Sequence, residues 1–394
     1  PGAAGIAEVQ SHNPGRVLFQ CWLQWQAERQ FEAAARHASA SGLDLGIYRD
    51  LAVGSAPDGA EAWAEQDHLA EKVSIGAPPD PFSADGQIWV ARPPVPHRMR
   101  ELGYRPFSAL LSANMRHAGL LRLDHVMGLS RLYCVPDGVP AAEGAYVNYQ
   151  LDEQLAVLSL ASHRHRCGVV GEDLGTVQEG LGERLAEAEV LSTRVVFFER
   201  ESDGGFRAPA TYKTRAATCA ATHDLPTIAG WWAGGDIDIA ARLGRTANAD
   251  AAHLARRGER AALLAALAEN GIATDGLPGR DEPSPAPAAL AALVAAVHAF
   301  LAETPSDLVL LQTTDLALER EPVNVPGTDR EWPNWRQKLA HALTRSELAA
   351  RLPEAYRARG LKAARGQPEA QEAPEAGLSE APEAGGRPTS GSEE

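Results

Sequence analysis

Three apolar stretches of this 394-residue chain each open onto a carboxylate. GLLRL leads directly into Asp124, CGVVG leads into Glu172, and AATCAAT leads through one histidine into Asp224. Retaining cleavage of a glycosidic bond needs one carboxylate that attacks the anomeric carbon and one carboxylic acid that protonates the departing oxygen. A third carboxylate can stabilise the positively charged transition state. The three carboxylates together are therefore a candidate site for this chemistry.

Neighbouring residues suggest how the roles divide. Glu172 is the better candidate for the acid, because crowding by like charges raises the pKa of a carboxyl group. Arg122 lies two residues before Asp124 on the same side of a strand, where its charge can keep that aspartate ionised. Each residue alone has a plainer interpretation, because a strand-end carboxylate is more often a helix cap or an ion-pair partner. A lone histidine such as His223 is likewise more often a core residue, so it is the combination that favours catalysis.

The carboxylates sit within an alternation of strands and helices. Strands are predicted at about residues 43–48, 119–123, 167–171, 194–199, 216–222 and 307–312. Helices are predicted at about residues 16–40, 98–117, 150–166, 178–189, 240–270 and 288–304, with another beginning after Asp224. This α/β pattern indicates parallel βαβ units, and a site built from several strand ends is typical of (β/α)8 barrels. A barrel needs eight strands, so we expect an incomplete one, in which the helix at 16–40 precedes the third strand.

Two segments stand apart from this alternation. Residues 70–96 are polar and proline-rich and are predicted to form a long loop, which is usually functional or disordered. Residues 366–394 are mostly Pro, Glu, Ala and Gly, with Leu378 as the one large apolar residue. Such a composition cannot bury enough apolar surface to fold, so we expect a disordered acidic tail.

Composition limits the partners and the compartment. The formal net charge of −15 argues against nucleic acid and anionic membrane surfaces as partners. The chain shows no signal peptide and no apolar run of spanning length, and its four cysteines stand singly, which predicts buried, unbridged thiols in a reducing cytoplasm. No set of residues has metal-ligand spacing and no glycine-rich phosphate loop precedes a helix, so we expect neither a metal nor a cofactor.

The motifs around the carboxylates resemble one known family. The chain is similar to the 4-α-glucanotransferases (amylomaltases, or disproportionating enzymes) of glycoside hydrolase family 77, and to the enterobacterial type above all, in LLRLDHVMGLSRLYCVPDG, VVGEDLGTV and ATHDLPTIAGWW. The likeness continues through GIYRDLAVGSAPDGAEAW, GAPPDPFSADGQIW and EPVNVPGT and covers about residues 16–345. It implies a TIM barrel of the α-amylase superfamily with helical insertions, in which residues 1–365 form the C-terminal part of the catalytic domain.

The resemblance also implies an activity and the roles of residues. Asp124 would be the nucleophile, Glu172 the general acid/base and Asp224 the stabiliser of the transition state. Arg122 and His223 would surround the reacting sugar. The implied reaction transfers segments of α-1,4-glucans or maltooligosaccharides to a maltodextrin or glucose acceptor, without a cofactor.

Further substrate contacts are implied by the same matching. Asp58, Trp89 and Asn324 fall in motifs that contact the sugar chain. The segment that holds Asp80 and Phe82 resembles the family's lid over the acceptor side, which would favour a sugar over water in the second step.

Two departures from the family pattern bear on this assignment. After GQIW the chain reads VARPP, which differs from the usual glycine and proline positions and affects the expected shape of the acceptor side. The family's N-terminal region, with the SPYxPxSR-like segment of the first strand, is not found, which predicts that the chain is N-terminally truncated. Two alternatives stay open: a retaining α-glucan hydrolase, in which water takes the second step, and an inactive fragment that at most binds glucan.

Overall fold

The three-dimensional structure is a computed structural model. It describes residues 4–79, 85–246, 248–340, 342–352 and 356. The expected lid residues Asp80 and Phe82 and the expected disordered tail at 366–394 lie outside the described residues.

Six of the strands form a parallel arrangement. The strands of the described residues are β1 (Tyr48–Leu51), β2 (Val73–Ala77), β3 (Gln87–Ile88), β4 (Leu120–Leu123), β5 (Arg131–Pro136), β6 (Ala145–Asn148), β7 (Gly168–Gly171), β8 (Ser192–Val195), β9 (Ala216–Cys219) and β10 (Leu308–Val309). One parallel sheet has the order β1-β4-β7 and a second has the order β8-β9-β10. A parallel bridge between Val170 and Leu191 joins β7 to the residue before β8. The parallel strands therefore follow one another in chain order, which agrees with the predicted alternation.

The first and fourth of these strands differ from their predicted ranges. β1 begins at Tyr48, because the chain turns at Gly46 (φ +65°) and leaves Leu43 and Leu45 exposed. The strand predicted at 194–199 begins earlier, at Ser192, and ends at Val195, where a single turn of 3-10 helix follows.

Helices precede, connect and follow the parallel strands. They are α1 (Ala4–His12), α2 (Pro14–Ala40), α3 (Ala60–Ala64), α4 (Pro96–Glu101), α5 (Arg105–Met115), α6 (Leu151–His165), α7 (Leu181–Glu187), α8 (Ile228–Ala233), α9 (Gly235–Arg242), α10 (Ala249–Glu269), α11 (Pro287–Ala302), α12 (Thr313–Leu316) and α13 (Arg345–Arg351). The helix predicted at 98–117 is interrupted at Tyr104, which precedes the N-terminus of α5 and has a left-handed φ of +55°. Among the described residues, no helix combines the length and the apolar character needed to cross a membrane.

Helix α2 agrees with the prediction at 16–40, but it lies on the surface. None of its residues is buried. Phe19 and Trp22, which the helical spacing places on one side with Leu23 and Gln26, are 54% and 46% exposed. Cys21 on the same helix is exposed, so the prediction of buried thiols is wrong for it because the helix contributes nothing to a core. The other three cysteines are buried and unbridged: Cys134, Cys167 and Cys219.

A second sheet is antiparallel and has the order β3-β2-β5-β6. Its strands β2 and β3 fall within residues 70–96, so the prediction of a long loop there is wrong. The strands are short, and β2 pairs with a distant part of the chain, with Ile75 opposite Cys134. Packing against such distant partners, rather than local propensity, decides whether a short segment becomes a strand. Ile75 packs with Leu132 and Trp89 in a small core of this sheet.

Two larger cores hold the parallel strands. One surrounds Leu121 of β4 and Leu158 of α6, both of which are fully buried. The other joins α8, α10 and α11 around Trp232 and Phe300. The carboxylates of the candidate site follow these strands at their C-terminal ends.

Candidate active site

The three candidate carboxylates meet at the C-terminal ends of the parallel strands. Asp124 directly follows β4, Glu172 directly follows β7, and Asp224 lies in the loop between β9 and α8. Together with Arg122 they line one groove with a volume of about 860 Å³. The antiparallel sheet supplies Tyr133 and Tyr146 to the groove lining, and Trp89 lines it directly after β3.

The backbone fixes Glu172 relative to the strand end that carries Asp124. The N–H of His125 donates to Glu172 Oε2 at 3.1 Å, and the N–H of Leu174 donates to Oε1 at 2.6 Å. The backbone carbonyl of Glu172 accepts a further hydrogen bond from the Val126 N–H at 3.0 Å. This close approach requires glycine at the preceding position, because a Cβ on Gly171 would lie 2.9 Å from the Val126 side chain.

Burial raises the pKa of Glu172 to about 7. The hydrogen bond from Leu174 and the charge of Arg122 act in the opposite direction, and the negative charge of Asp124 adds to the increase. The direction agrees with the sequence-based expectation, but desolvation is a larger cause than the like charges on which that expectation was based. A carboxyl group with this pKa is largely protonated in slightly acidic solution and can donate a proton there.

Arg122 links Asp124 to a second acidic residue, Asp50 at the end of β1. Its Nη2 lies 2.6 Å from Asp124 Oδ1, and its Nη1 donates to Asp50 Oδ1 at 2.7 Å. Burial raises the pKa of Asp124, and the charges of Asp50 and Asp224 act in the same direction, whereas Arg122 lowers it. Arg122 therefore favours the ionised aspartate as expected, although its effect does not outweigh burial.

Two side chains contact the Asp224 carboxylate: that of its chain neighbour His223 and that of the distant residue Asn324. Asn324 Nδ2 donates to Asp224 Oδ1 at 2.6 Å, and His223 Nε2 lies 3.2 Å from Oδ2. Burial raises the pKa of Asp224, but the hydrogen bonds from His223 and Asn324 and the charge of Arg122 bring the pKa below its ordinary value. Glu172 and Asp224 thus have pKa values shifted in opposite directions, a pattern found where two carboxyl groups have different catalytic roles.

The other predicted contact residues lie at different distances from this centre. Trp89 lines the groove, with its ring edge-on to His125 at a centroid separation of 5.1 Å. Asn324 reaches the site through Asp224. Asp58 is exposed in the turn before α3 and is not among the residues that line the groove.

Two groove or strand-end residues were not predicted from the sequence. Asp50 pairs with Arg122 in the register of β1 and β4 and its Oδ2 lies 4.0 Å from His223 Nδ1. The signal for Asp50 was present, because it too follows an apolar run (GIY) at the end of a predicted strand. Phe198, which lines the groove and is 47% exposed, follows no polar pattern that would single it out.

The site shows no arrangement for a metal. Among the residues that the structure describes, no group of three or more His, Cys, Asp or Glu side chains could hold a metal ion.

Parallel strands that carry carboxylates at their C-terminal ends define an α/β protein with a candidate site at the strand ends. The family model described as 4-alpha-glucanotransferase, glycoside hydrolase family 77, matches residues 2–344. The chain belongs to this family.

Two curated relatives illustrate the likeness. The 4-alpha-glucanotransferase of Mycobacterium tuberculosis (strain ATCC 25618 / H37Rv) is 41% identical over 344 residues, which are 86% of this chain and 46% of the relative. The 4-alpha-glucanotransferase of Haemophilus influenzae is 37% identical over 332 residues, which are 83% of this chain and 47% of the relative. The chain spans about half the length of the curated relatives that it matches.

Solved structures agree on the fold. The amylomaltase from Corynebacterium glutamicum is 35% identical, with a TM-score of 0.79 over 86% of this chain and 50% of the solved one. The amylomaltase from Streptococcus agalactiae in complex with acarbose is 17% identical, with a TM-score of 0.69 over 90% of this chain and 65% of the solved one. The parallel strands therefore belong to the α-amylase-type (β/α)8 fold.

Proposed function

We propose that this protein is a 4-α-glucanotransferase that acts through a retaining double displacement. The observation that carries the proposal is that Asp124, Glu172, Asp224 and Arg122 line one groove at the ends of parallel strands. Membership of the family and the names of the relatives support it. The proposed substrates are α-1,4-glucans and maltooligosaccharides as donors, and maltooligosaccharides or glucose as acceptors.

In the first step, the Asp124 carboxylate attacks the anomeric carbon of the donor. The bond from that carbon to the leaving oxygen breaks, and the Glu172 proton moves to this oxygen, so that a shortened glucan departs with a free 4-OH. The product on the protein is a β-linked glycosyl ester of Asp124. Because the pKa of Glu172 is raised, its carboxyl group still carries the proton that this step consumes.

In the second step, the Glu172 carboxylate takes the proton from the 4-OH of an acceptor. The acceptor oxygen attacks the anomeric carbon, and the ester bond to Asp124 breaks. Both side chains return to their initial states, and two inversions restore the α configuration.

Asp224 and its neighbours act on the charge of the sugar. An ionised carboxylate at this position stabilises the positive charge that develops in both transition states. Its low pKa keeps it ionised at a pH at which Glu172 is still protonated. Arg122 and His223 would surround the reacting sugar, with Arg122 also favouring the ionised form of Asp124.

Further contacts are proposed for the length of the groove. Trp89 provides an aromatic surface on the acceptor side, and Asn324 orients Asp224. Asp58, Asp80 and Phe82 are proposed substrate contacts on the resemblance alone. The acarbose complex of the Streptococcus agalactiae relative supports a groove that accepts oligosaccharides.

The analysis of products from maltotriose tests the proposed activity. Transfer yields glucose together with chains longer than maltotriose, and the number of reducing ends stays constant. A retaining hydrolase would yield only shorter sugars, with an increase in reducing ends. A chain that neither disproportionates maltotriose nor unfolds cooperatively would be the inactive fragment.

We also infer that the six parallel strands are strands three to eight of the barrel, with residues 1–365 as the C-terminal part of the catalytic domain. The unbroken order β1-β4-β7-β8-β9-β10 and the share of the relatives' length support this inference. Strand-by-strand superposition on the Corynebacterium glutamicum structure tests it: β1 should fall on the third barrel strand, and a match to the first strand would overturn it. We also propose that the protein is located in the cytoplasm.

A further inference from the structure

The loop that presents Asn324 to Asp224 contains a tight turn. The Thr328 N–H donates to the Val325 carbonyl at 3.3 Å, Pro326 is the second residue of the turn, and Gly327 is the third with φ +70°. Proline and glycine at these positions are the signature of a type II turn. The turn therefore has a defined shape of its own, but its position relative to Asp224 must come from other contacts.

The Asn334 side chain forms hydrogen bonds with both ends of this turn. Its Oδ1 accepts the N–H of Val325 at 2.9 Å, and its Nδ2 donates to the carbonyl and to the Oγ1 of Thr328, each at 2.9 Å. A side-chain amide can do this because it carries an acceptor and two donors. The next residue continues the attachment, since the Trp335 N–H donates to the Val323 carbonyl at 3.1 Å.

Arg245 holds the turn from the opposite side. This exposed residue follows α9, and its Nη1 and Nη2 donate to the carbonyls of Pro326 and Gly327 at 2.7 and 2.6 Å. The planar guanidinium presents both donors at once, which the single ammonium of a lysine cannot reproduce in the same geometry.

Polar contacts matter here because packing does not fill the space behind Asp224. A cavity of about 170 Å³ lies between α9 and the loop, and Asp224, Arg245 and Asn324 are among its lining residues. Arg245, which also lines this gap, reaches the loop through its two hydrogen bonds. Asn334 and Arg245 therefore hold the turn that follows Asn324, while Trp332 and Trp335 donate to the carbonyls of Pro322 and Val323 before it.

We propose that Asn334 and Arg245 are positioning residues for glucan transfer, which act by holding the Val325–Thr328 turn so that Asn324 reaches Asp224. This inference rests on the proposed function, because it assigns to Asp224 the stabilisation of the transition state. Neither residue touches the sugar in this account. Their effect passes through the 2.6 Å hydrogen bond from Asn324.

A double-mutant cycle tests the proposal in the full chain. Asn334→Ala and Arg245→Met should each lower kcat for maltotriose disproportionation about tenfold, the size expected for the loss of one hydrogen bond to a charged group. In each variant, kcat and KM should change in the same proportion to one another as they do in Asn324→Ala. Combined with Asn324→Ala, neither should reduce kcat by more than about twofold further, because coupled residues are not additive.

The controls separate positioning from general stability. Arg257→Met removes an exposed arginine whose partner is Asp281 and should leave kcat unchanged. Arg245→Lys should recover only part of the loss. The proposal is overturned if Arg245→Met and Asn334→Ala keep the parental kcat, or if each multiplies in full with Asn324→Ala. If Asn334→Ala does not fold, Arg245→Met alone still tests the proposal, because the Arg245 side chain is exposed and its loss should not prevent folding.

Hydrogen exchange decides the structural part independently of turnover. Peptides that cover residues 319–331 should exchange faster in Arg245→Met and Asn334→Ala than in the parent, whereas Arg257→Met should not differ. If the parent chain does not disproportionate maltotriose, the proposed function fails. Unchanged exchange in both variants would still contradict the claim that Asn334 and Arg245 hold the Val325–Thr328 turn in place.

Discussion

The backbone N–H of His125 donates to the Glu172 carboxylate at 3.1 Å, so the residue after one candidate catalytic group holds the other. The contact exists because β4 and β7 pair in register, with Leu123 opposite Gly171. His125 has φ +46°, a left-handed conformation that costs a non-glycine residue about 1–2 kcal/mol. Such strain persists only where the surrounding structure fixes it. The relative position of Asp124 and Glu172 is therefore set by the backbone of two strands.

Gly171 is a position at which this arrangement is sensitive to one added methyl group. A Cβ there would lie 2.9 Å from the Val126 side chain, and overpacking of this kind costs about 1–3 kcal/mol. We expect Gly171→Ala to lower the free energy of unfolding by that amount and to reduce kcat. Gly182→Ala in α7 is the matched control, since a Cβ added there would have no atom within 4 Å other than those of its own helix backbone and chain neighbours. It should be neutral or stabilising by about 0.5–1 kcal/mol. Equal stability of the two variants in thermal unfolding would contradict the close approach.

The pKa of about 7 at Glu172 predicts the alkaline limit of activity. The first step needs the protonated form, so kcat/KM for maltotriose should fall as the pH rises above about 7. Glu172→Gln should reduce turnover of maltotriose by ~10³-fold or more. With α-maltosyl fluoride as donor, whose fluoride leaves without a proton, the same variant should form the glycosyl ester at a rate within about tenfold of the parent. Equal losses with both donors would argue against an acid role.

Arg122→Lys tests whether the two contacts of the guanidinium are needed together. A lysine ammonium cannot reach Asp50 and Asp124 in the same forked geometry, so kcat should fall ~10²-fold. Loss of the arginine contact should raise the pKa of Asp124 further, because Arg122 lowers it in the parent. The acid limb of the pH profile should therefore move to higher pH. Arg215→Lys, at an exposed ion pair with Asp307, is the control and should change neither quantity. A parental pH profile in Arg122→Lys would contradict the assignment.

Removal of residues 366–394 should leave catalysis intact. The segment is acidic and nearly free of large apolar residues, so it has little to contribute to a core. We expect the shortened chain to keep the kcat and the melting temperature of the full chain. A large loss in either would show that the tail makes specific contacts.

Local patterns in the sequence predicted the parallel strands and the carboxylates at their ends. The strands before Asp124, Glu172 and Asp224 lie in largely apolar runs, and a residue that directly follows a strand is positioned by it. The antiparallel sheet was missed because its pairing is not local, as in Ile75 opposite Cys134. The same limit applies to side-chain contacts such as that of Asn324 with Asp224, whose positions differ by 100 in the sequence.

Some features of the site follow from burial, which the sequence shows only indirectly. The raised pKa of Glu172 comes mainly from desolvation, and the degree of desolvation depends on how the groove closes around the strand end. Asp50 is visible as a charge at a predicted strand end, but its link to Arg122 depends on which strands are neighbours. Strand order in space is set by tertiary packing, so the sequence alone could not identify this pair.

The most direct test of the central claim is to find the residue that carries the sugar. In Glu172→Gln, α-maltosyl fluoride should form the ester without an acid, and the absence of a base should slow its transfer, so the intermediate accumulates. Mass spectrometry of a proteolytic digest should place one maltosyl group on Asp124, and a variant with both Glu172→Gln and Asp124→Asn should carry none. A maltosyl group on Asp224 or on any other side chain would contradict the account.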